Sequence, residues 1–151
     1  MKNAQHKIIP PVYFFLAILV MAALHYWFPV YQFIHPPLSY SGTLLILAGF
    51  IIVLWSAFLF NTAGTPIRPF EESTQLVSAG MYRYTRNPMY LGMVLILLGI
   101  AILLGSLSPF ILIPIFILLI QLLFIVHEES MLEERFGDEY RLFKQKVRRW
   151  L

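Results

Sequence analysis

The sequence predicts an all-α polytopic membrane bundle of about four transmembrane helices, followed by a C-terminal amphipathic helix at the bilayer interface. Three observations lead there. Hydrophobic residues make up 59% of the 151-residue chain and charged residues 13%, a balance far from that of a water-soluble domain. Apolar stretches near 12–28, 42–60, 88–104 and 109–126 each have the roughly 17 to 25 residues that cross a hydrocarbon core about 30 Å thick. Finally, all 11 Lys and Arg residues fall in the N-terminus, the loop between the second and third stretches, or the tail.

With four crossings those three segments share one side. The loops at 29–40 and 105–108 carry no Lys or Arg, so the positive-inside rule places both termini and the second loop in the cytoplasm. The 8 acidic residues, Glu71, Glu72, Glu128, Glu129, Glu133, Glu134, Asp138 and Glu139, lie on that side too. Charge-dependent chemistry is therefore expected at the cytoplasmic surface of a single domain spanning 1–151. Cysteine is absent, which excludes disulfides, thiolate metal sites and cysteine catalysis.

The first stretch follows Lys2 and Lys7 but has a long apolar run and no A-x-A site, so it reads as a retained anchor rather than a signal peptide. Trp27, Tyr31 and Tyr40 suit an interfacial aromatic belt, and His35-Pro36-Pro37 suits a rigid turn between the first two helices. The second helix ends at Asn61-Thr62-Ala63-Gly64-Thr65-Pro66, a run of turn formers.

The third helix opens at Asn87-Pro88, a favoured N-cap followed by a favoured first residue. Its exposed N–H groups and dipole make an anion site beside Arg83 and Arg86. Gly105-Ser106-Leu107-Ser108-Pro109 is a tight connection, predicting an antiparallel hairpin of the third and fourth helices. Pro114 is a kink position in the fourth span, and Gln121, seven residues before Glu128, is expected on the same face. In the tail over 127–151, Leu132, Phe136, Tyr140, Phe143, Val147 and Trp150 recur at intervals of three and four, one apolar face of a helix against the membrane. A bend is expected at Gly137, and Lys144, Lys146, Arg148 and Arg149 suit anionic lipid.

A tight hairpin brings the Tyr82–Tyr90 loop beside His127, Glu128 and Glu129. Together they wall a pocket for a ligand with a carboxylate (Arg86 and the helix N-terminus), an aromatic ring (Tyr82, Tyr84 or Tyr90) and a positive centre (Glu128 or Glu129). An amino-acid-bearing nucleoside sulfonium has all three. The ordinary alternatives stand beside this: arginines at helix ends set topology, a Glu-Glu pair is commonly solvated, and Gln121 suits an interhelical hydrogen bond. A haem held by His25 and His127 is disfavoured, because the two lie near opposite ends of their spans.

Gly80-Met81-Tyr82-Arg83-Tyr84-Thr85-Arg86-Asn87-Pro88-Met89-Tyr90-Leu91-Gly92, with Glu128-Glu129-Ser130-Met131-Leu132, Phe136-Gly137, Glu139-Tyr140 and Val147-Arg148-Arg149-Trp150, strongly resembles the isoprenylcysteine carboxyl methyltransferase and phospholipid methyltransferase superfamily of membrane enzymes. Gly64-Thr65-Pro66 is similar to the Gly-Thr-x-x-Pro region of bacterial members, and the likeness covers about residues 60 to 150. Met81 replaces a commoner proline and Phe143 a frequent tyrosine. The extra N-terminal helices of the eukaryotic prenylcysteine enzymes have no counterpart here, which argues against a prenylated protein substrate.

The resemblance implies methyl transfer from S-adenosylmethionine to the carboxylate or amine head of a lipophilic small-molecule or lipid acceptor. Tyr82, Arg83, Arg86, Asn87, Pro88, Tyr90, Gly92, Glu128 and Glu129 are the implied cofactor-binding positions. Arg86, Glu129 and His127 are the catalytic candidates, with Arg83 or Arg86 to orient a carboxylate acceptor and Glu129 or His127 as base for an amine. Asn61, Thr65 and Gln121 are the acceptor-binding candidates. No metal is expected, and the partners are the lipid bilayer and the acceptor, with no nucleic acid. The alternative from another class is a non-enzymatic membrane module binding anionic lipid or a partner protein.

Overall fold

In a computed structural model, described over residues 9–66 and 73–151, the regular elements among the described residues are all helices. Lys2, Lys7, Arg68, Glu71 and Glu72, used above to argue topology, lie outside the described residues. The helices are α1 (Pro10–Trp27), α2 (Gly42–Thr62), α3 (Pro88–Leu104), α4 (Leu112–Ile120), α5 (Val126–Phe136) and α6 (Asp138–Lys146). A π-helical segment, Gln121–Ile125, joins α4 to α5, so that Ser108–Phe136 forms one rod of 29 residues.

Among the described residues, α1, Leu38–Thr62 and Ser108–Phe136 are long and apolar enough to cross a membrane. α3 is a shorter apolar helix of 17 residues, about 25 Å at the usual rise and so at the lower limit of a crossing. Its start at Pro88 and end at Leu104 match the expected span. Gly105 takes the left-handed conformation (φ 74°) that terminates helices, its N–H donating to the Ala101 carbonyl at 2.9 Å.

The main partner of α3 is α2, not the fourth span. Gly42 and Gly49 on α2 face Gly99 and Gly92 on α3 in antiparallel order: a Cβ on Gly49 would come within 2.6 Å of the Gly92 carbonyl oxygen, and one on Gly92 within 2.8 Å of that of Gly49. Small residues at seven-residue spacing let the two backbones touch, the mode of packing that serves where hydrophobic burial gives no drive between helices. A buried cluster of Phe14, Ala17, Met21, Ile96, Leu97, Ala101, Phe116, Ile120 and Phe124 joins α1, α3 and the rod.

At the end of the bundle away from the charges, the loop after α1 is strapped to the α3–α4 connection. Phe33 and Ile34 N–H groups donate to the Gly105 carbonyl at 3.0 and 3.1 Å, and His25 Nδ1 lies 2.7 Å from Ser106 Oγ. Trp27, Tyr31 and Tyr40 are exposed there, as belt residues require.

The tail differs from one long amphipathic helix. Gly137 (φ 51°, ψ −120°) breaks it into α5 and α6, and the chain leaves α6 in extended form at Val147. Val147 and Trp150 therefore do not continue the apolar face of α6. They belong to a terminal segment that returns to the loop before α3. Pro114 falls in the first turn of α4, just after the 3-10 turn Ser108–Ile111, and the irregularity of the rod is instead its π segment. That wider turn shifts the register between Gln121 and Glu128, so seven-residue spacing no longer places them on one face.

Candidate active site at the polar end of the bundle

A cavity of about 700 Å³ opens among the start of α1, the end of α2, the loop before α3, α5 and α6. Pro10, Phe60, Leu76, Val77, Met89, Met93, Leu132 and Phe143 supply apolar wall, while Tyr82, Arg86, Asn87, Tyr90, Glu128, Glu129 and Tyr140 bring polar atoms to it. The cavity is large enough for a nucleoside-sized ligand with part of a second molecule.

The loop before α3 is shaped by the chain's own C-terminus. Thr85 and Arg148 form an isolated parallel bridge, and the Arg86 N–H donates to the Arg148 carbonyl at 2.9 Å. Thr85 Oγ1 and Asn87 Nδ2 both donate to the Arg149 carbonyl, at 3.1 and 3.0 Å. Asn87 occupies the N-cap position, yet its side chain makes no cap bond. Its amide is turned to the terminal segment, so the first N–H groups of α3 receive no capping from it and keep the partial positive charge of a helix start.

Glu129 is buried, at 7% exposure, and held by two guanidinium groups. Arg149 Nε donates to Oε1 at 3.0 Å and Arg149 NH2 to Oε2 at 2.7 Å, a two-pronged pair, while Arg86 NH2 lies 3.1 Å from Oε1. The bond to Glu129 raises the Arg149 pKa. Arg86 Nε, in contrast, is buried with no hydrogen-bond acceptor among the described residues. An uncompensated guanidinium donor in a cavity wall is costly to leave so, and is satisfied when an anionic or carbonyl oxygen enters.

Across the cavity, the Tyr90 hydroxyl donates to Glu128 Oε1 at 2.8 Å, joining the first turn of α3 to α5. Tyr82 is buried against Phe60, with ring centroids 5.3 Å apart. Burial and the nearby Glu128 charge push the Tyr82 hydroxyl pKa well up, so it is a neutral hydrogen-bonding group, not a base. The walls thus bring Arg86, the α3 N-terminus and the Glu128 carboxylate to one cavity.

Of the sequence-derived candidates, Tyr82, Arg86, Asn87, Tyr90, Glu128 and Glu129 converge on the cavity. The others are placed elsewhere. Arg83 is exposed on the turn, Pro88 is buried as the first residue of α3, and Gly92 lies under α2. Asn61 is exposed beyond the cavity wall, and Thr65 is buried in a loop clasp, Thr65 Oγ1 to Thr74 Oγ1 at 2.9 Å. Gln121 Oε1 accepts from Trp150 Nε1 at 3.1 Å, anchoring the terminal segment to the π segment. His127 is exposed and does not line the cavity. Glu129 is engaged at both oxygens by the two guanidinium groups.

Sequence reasoning missed Tyr140, Phe143 and Arg149. The first two were visible as an apolar helical face, but periodicity alone does not say whether such a face meets lipid or a cavity. Arg149 stood among four tail cations and in the Val147-Arg148-Arg149-Trp150 motif, neither of which names its partner.

The sequence model of the phospholipid methyltransferase family matches residues 38–139, which include most of the cavity's polar groups. The chain belongs to that family. The apolar helices of this phospholipid methyltransferase family member, three of them among the described residues long enough to cross a membrane, fit that assignment. The protein is 52% identical over 63 residues to an uncharacterized protein of Haemophilus influenzae, covering 42% of this chain and 100% of that one. In fold, the family member is similar over 100% of its length to the eukaryotic intramembrane Ras methyltransferase ICMT (isoprenylcysteine carboxyl methyltransferase), with a TM-score of 0.69 and 20% identity. It spans about half of that enzyme, 53% of the chain.

Proposed function

We propose that this protein transfers the methyl group of S-adenosylmethionine to the carboxylate or amine head of a lipophilic acceptor at the cytoplasmic surface of the membrane. The observation that carries the reading is the pairing, in one cavity, of a buried unpaired Arg86 Nε with a carboxylate, Glu128, that no described Lys or Arg neutralises. The donor set fits the proposed methyl donor: Arg86 and the α3 N-terminus would hold its carboxylate, Glu128 its positive end, and the aromatic wall that includes Tyr82 and Tyr140 would take its ring. When bound, the donor supplies an activated methyl whose bond to sulfur breaks as a bond to the acceptor oxygen or nitrogen forms, sulfur keeping the electron pair.

The protein's part is to position and to exclude water. Pro10, Phe60, Met89 and Met93 give the acceptor's apolar portion a wall continuous with the membrane-embedded helices. An ionised carboxylate acceptor needs no base. For an amine acceptor, Glu128, a carboxylate of the cavity that accepts from Tyr90 and has no described Lys or Arg partner, is the group we assign to take the proton. The family assignment favours this enzymatic reading over a non-enzymatic lipid- or partner-binding module.

The test is to incubate membranes carrying wild type, Arg86→Ala or Glu128→Gln with radiolabelled S-adenosylmethionine and a lipid extract. Labelled lipid from wild type, reduced about tenfold or more in each variant, is the expected result, since hydrogen bonds to charged groups are worth about 1.5 to 3 kcal/mol. Equal labelling in all three overturns these roles.

A further inference from the structure

We propose that Arg149 is a positioning residue for the methyl-donor site: by occupying both oxygens of Glu129, it keeps Arg86 from closing onto that carboxylate and so leaves Arg86 Nε available to ligand. The inference rests on the methyl-donor reading above.

A carboxylate and a guanidinium prefer a fork-to-fork pair in which two parallel N–H groups meet two oxygens. Glu129 could make one with either arginine. It makes it with Arg149, through Nε at 3.0 Å and NH2 at 2.7 Å, and leaves Arg86 a single NH2 contact at 3.1 Å on the oxygen already shared. The Arg86 side chain is 10% exposed and that of Glu129 9%, so solvent does little to compete with this choice.

The arrangement is set by the backbone. The Arg149 carbonyl is fixed by Thr85 Oγ1 and Asn87 Nδ2, the Arg148 carbonyl by the Arg86 N–H, and Trp150 by Gln121. The same three-residue run that holds the loop therefore delivers the guanidinium that competes with Arg86. Without Arg149, Arg86 is free to turn Nε to the vacated Glu129 oxygen, satisfying itself and losing the donor that the cavity needs.

A generic structural role for Arg149 predicts that any further loss at Glu129 makes matters worse. The positioning role predicts the opposite. Removing the Glu129 charge as well takes away the carboxylate onto which Arg86 collapses, so the double variant should regain what the single one loses.

The experiment measures dissociation constants for S-adenosylhomocysteine on purified full-length protein in detergent, with a melting curve for each sample. Arg149→Ala is expected to weaken binding about tenfold or more, and Arg149→Ala/Glu129→Gln to recover most of that loss. Arg148→Ala is the matched control, since the Arg148 side chain is exposed and contributes only its carbonyl, and it should bind as wild type does. Arg149→Lys, which retains charge but lacks the planar fork, should fall between wild type and Arg149→Ala, and serves as the comparison if alanine unfolds the protein. Wild-type affinity in Arg149→Lys and Arg149→Ala, or a double variant no better than the single, overturns the positioning role alone. Wild type that does not bind S-adenosylhomocysteine overturns the methyl-donor reading and this inference with it.

Discussion

Tyr90 on the first turn of α3 donates its hydroxyl proton to Glu128 on α5, 2.8 Å away, and this contact fixes the two walls of the cavity against each other. Glu128 is otherwise without a described Lys or Arg partner, so Tyr90 orients the carboxylate without neutralising it. Tyr90→Phe removes the donor and keeps the ring. It should destabilise the protein by about 1 to 3 kcal/mol, the usual cost of stranding a buried acceptor, and reduce methyl-donor affinity. Melting in detergent and binding of S-adenosylhomocysteine check the two effects separately. Unchanged affinity would show that the orientation of Glu128 does not matter to the ligand.

The α2–α3 crossing makes a second prediction. Gly49→Ala drives a methyl to 2.6 Å from the Gly92 carbonyl oxygen, and Gly92→Ala places one 2.6 Å from Val53 Cγ2. Neither backbone can move away without separating the helices. Each change should cost about 1 to 3 kcal/mol as overpacking, although alanine is the better helix former. A lowered melting temperature for both, larger than that for Gly64→Ser on the open turn after α2, where a Cβ meets nothing within 4 Å, would confirm the crossing. Because Gly64 also has positive φ (62°), serine there is not strain-free, so the comparison is one of size rather than of presence.

How much was legible in the sequence follows from what each signal measures. Length and hydropathy placed the first three apolar stretches within two residues of the ends of α1, α2 and α3, while the fourth, expected to end near 126, runs on as one rod to Phe136. Asn87-Pro88 located the start of α3, and the short loop expected at 105–108 put Tyr90 near Glu128, as their 2.8 Å hydrogen bond has it. The Asn87 side-chain cap was not made, since a carbonyl from residue 149 competes for that amide and nothing local announces it. Gln121 and Glu128 were expected on one face because a 3.6-residue period was assumed, and the π segment between them breaks it. The Gly42/Gly49 and Gly92/Gly99 spacing was present in the sequence as a packing signal, but the loop-length argument directed attention to the wrong helix pair. Arg149 was unreadable for a different reason: a cation's partner depends on where the chain returns, not on its neighbours in sequence.

Membrane orientation gives a third prediction. The natural chain has no cysteine, so a single introduced thiol reports its own side of the membrane. Ser41 lies at the start of α2, away from the cavity, and Ser130 lies on α5 beside it; both are exposed. With the cavity on the cytoplasmic side, a membrane-impermeant maleimide should label Ser41→Cys in intact cells, and Ser130→Cys only after the membrane is opened. The reverse pattern would invert the topology and place the methyl-donor site outside.

Gly137 carries the last prediction, because it decides where α6 lies. Its φ of 51° and ψ of −120° put it outside the regions open to residues with a Cβ, and a Cβ there would meet nothing within 4 Å. The cost of Gly137→Ala is therefore backbone strain, about 1 to 3 kcal/mol, rather than a clash. Asparagine, which relieves left-handed helical positions, should not rescue it, since that conformation requires ψ near +45°. The chain can escape the strain by continuing α5 straight through, which would swing α6 away and withdraw Tyr140 and Phe143 from the cavity wall. Both Gly137→Ala and Gly137→Asn should then lower the melting temperature and weaken S-adenosylhomocysteine binding together. A variant that melts earlier yet binds at full affinity would show that the break at Gly137 serves the stability of the tail and not the shape of the site.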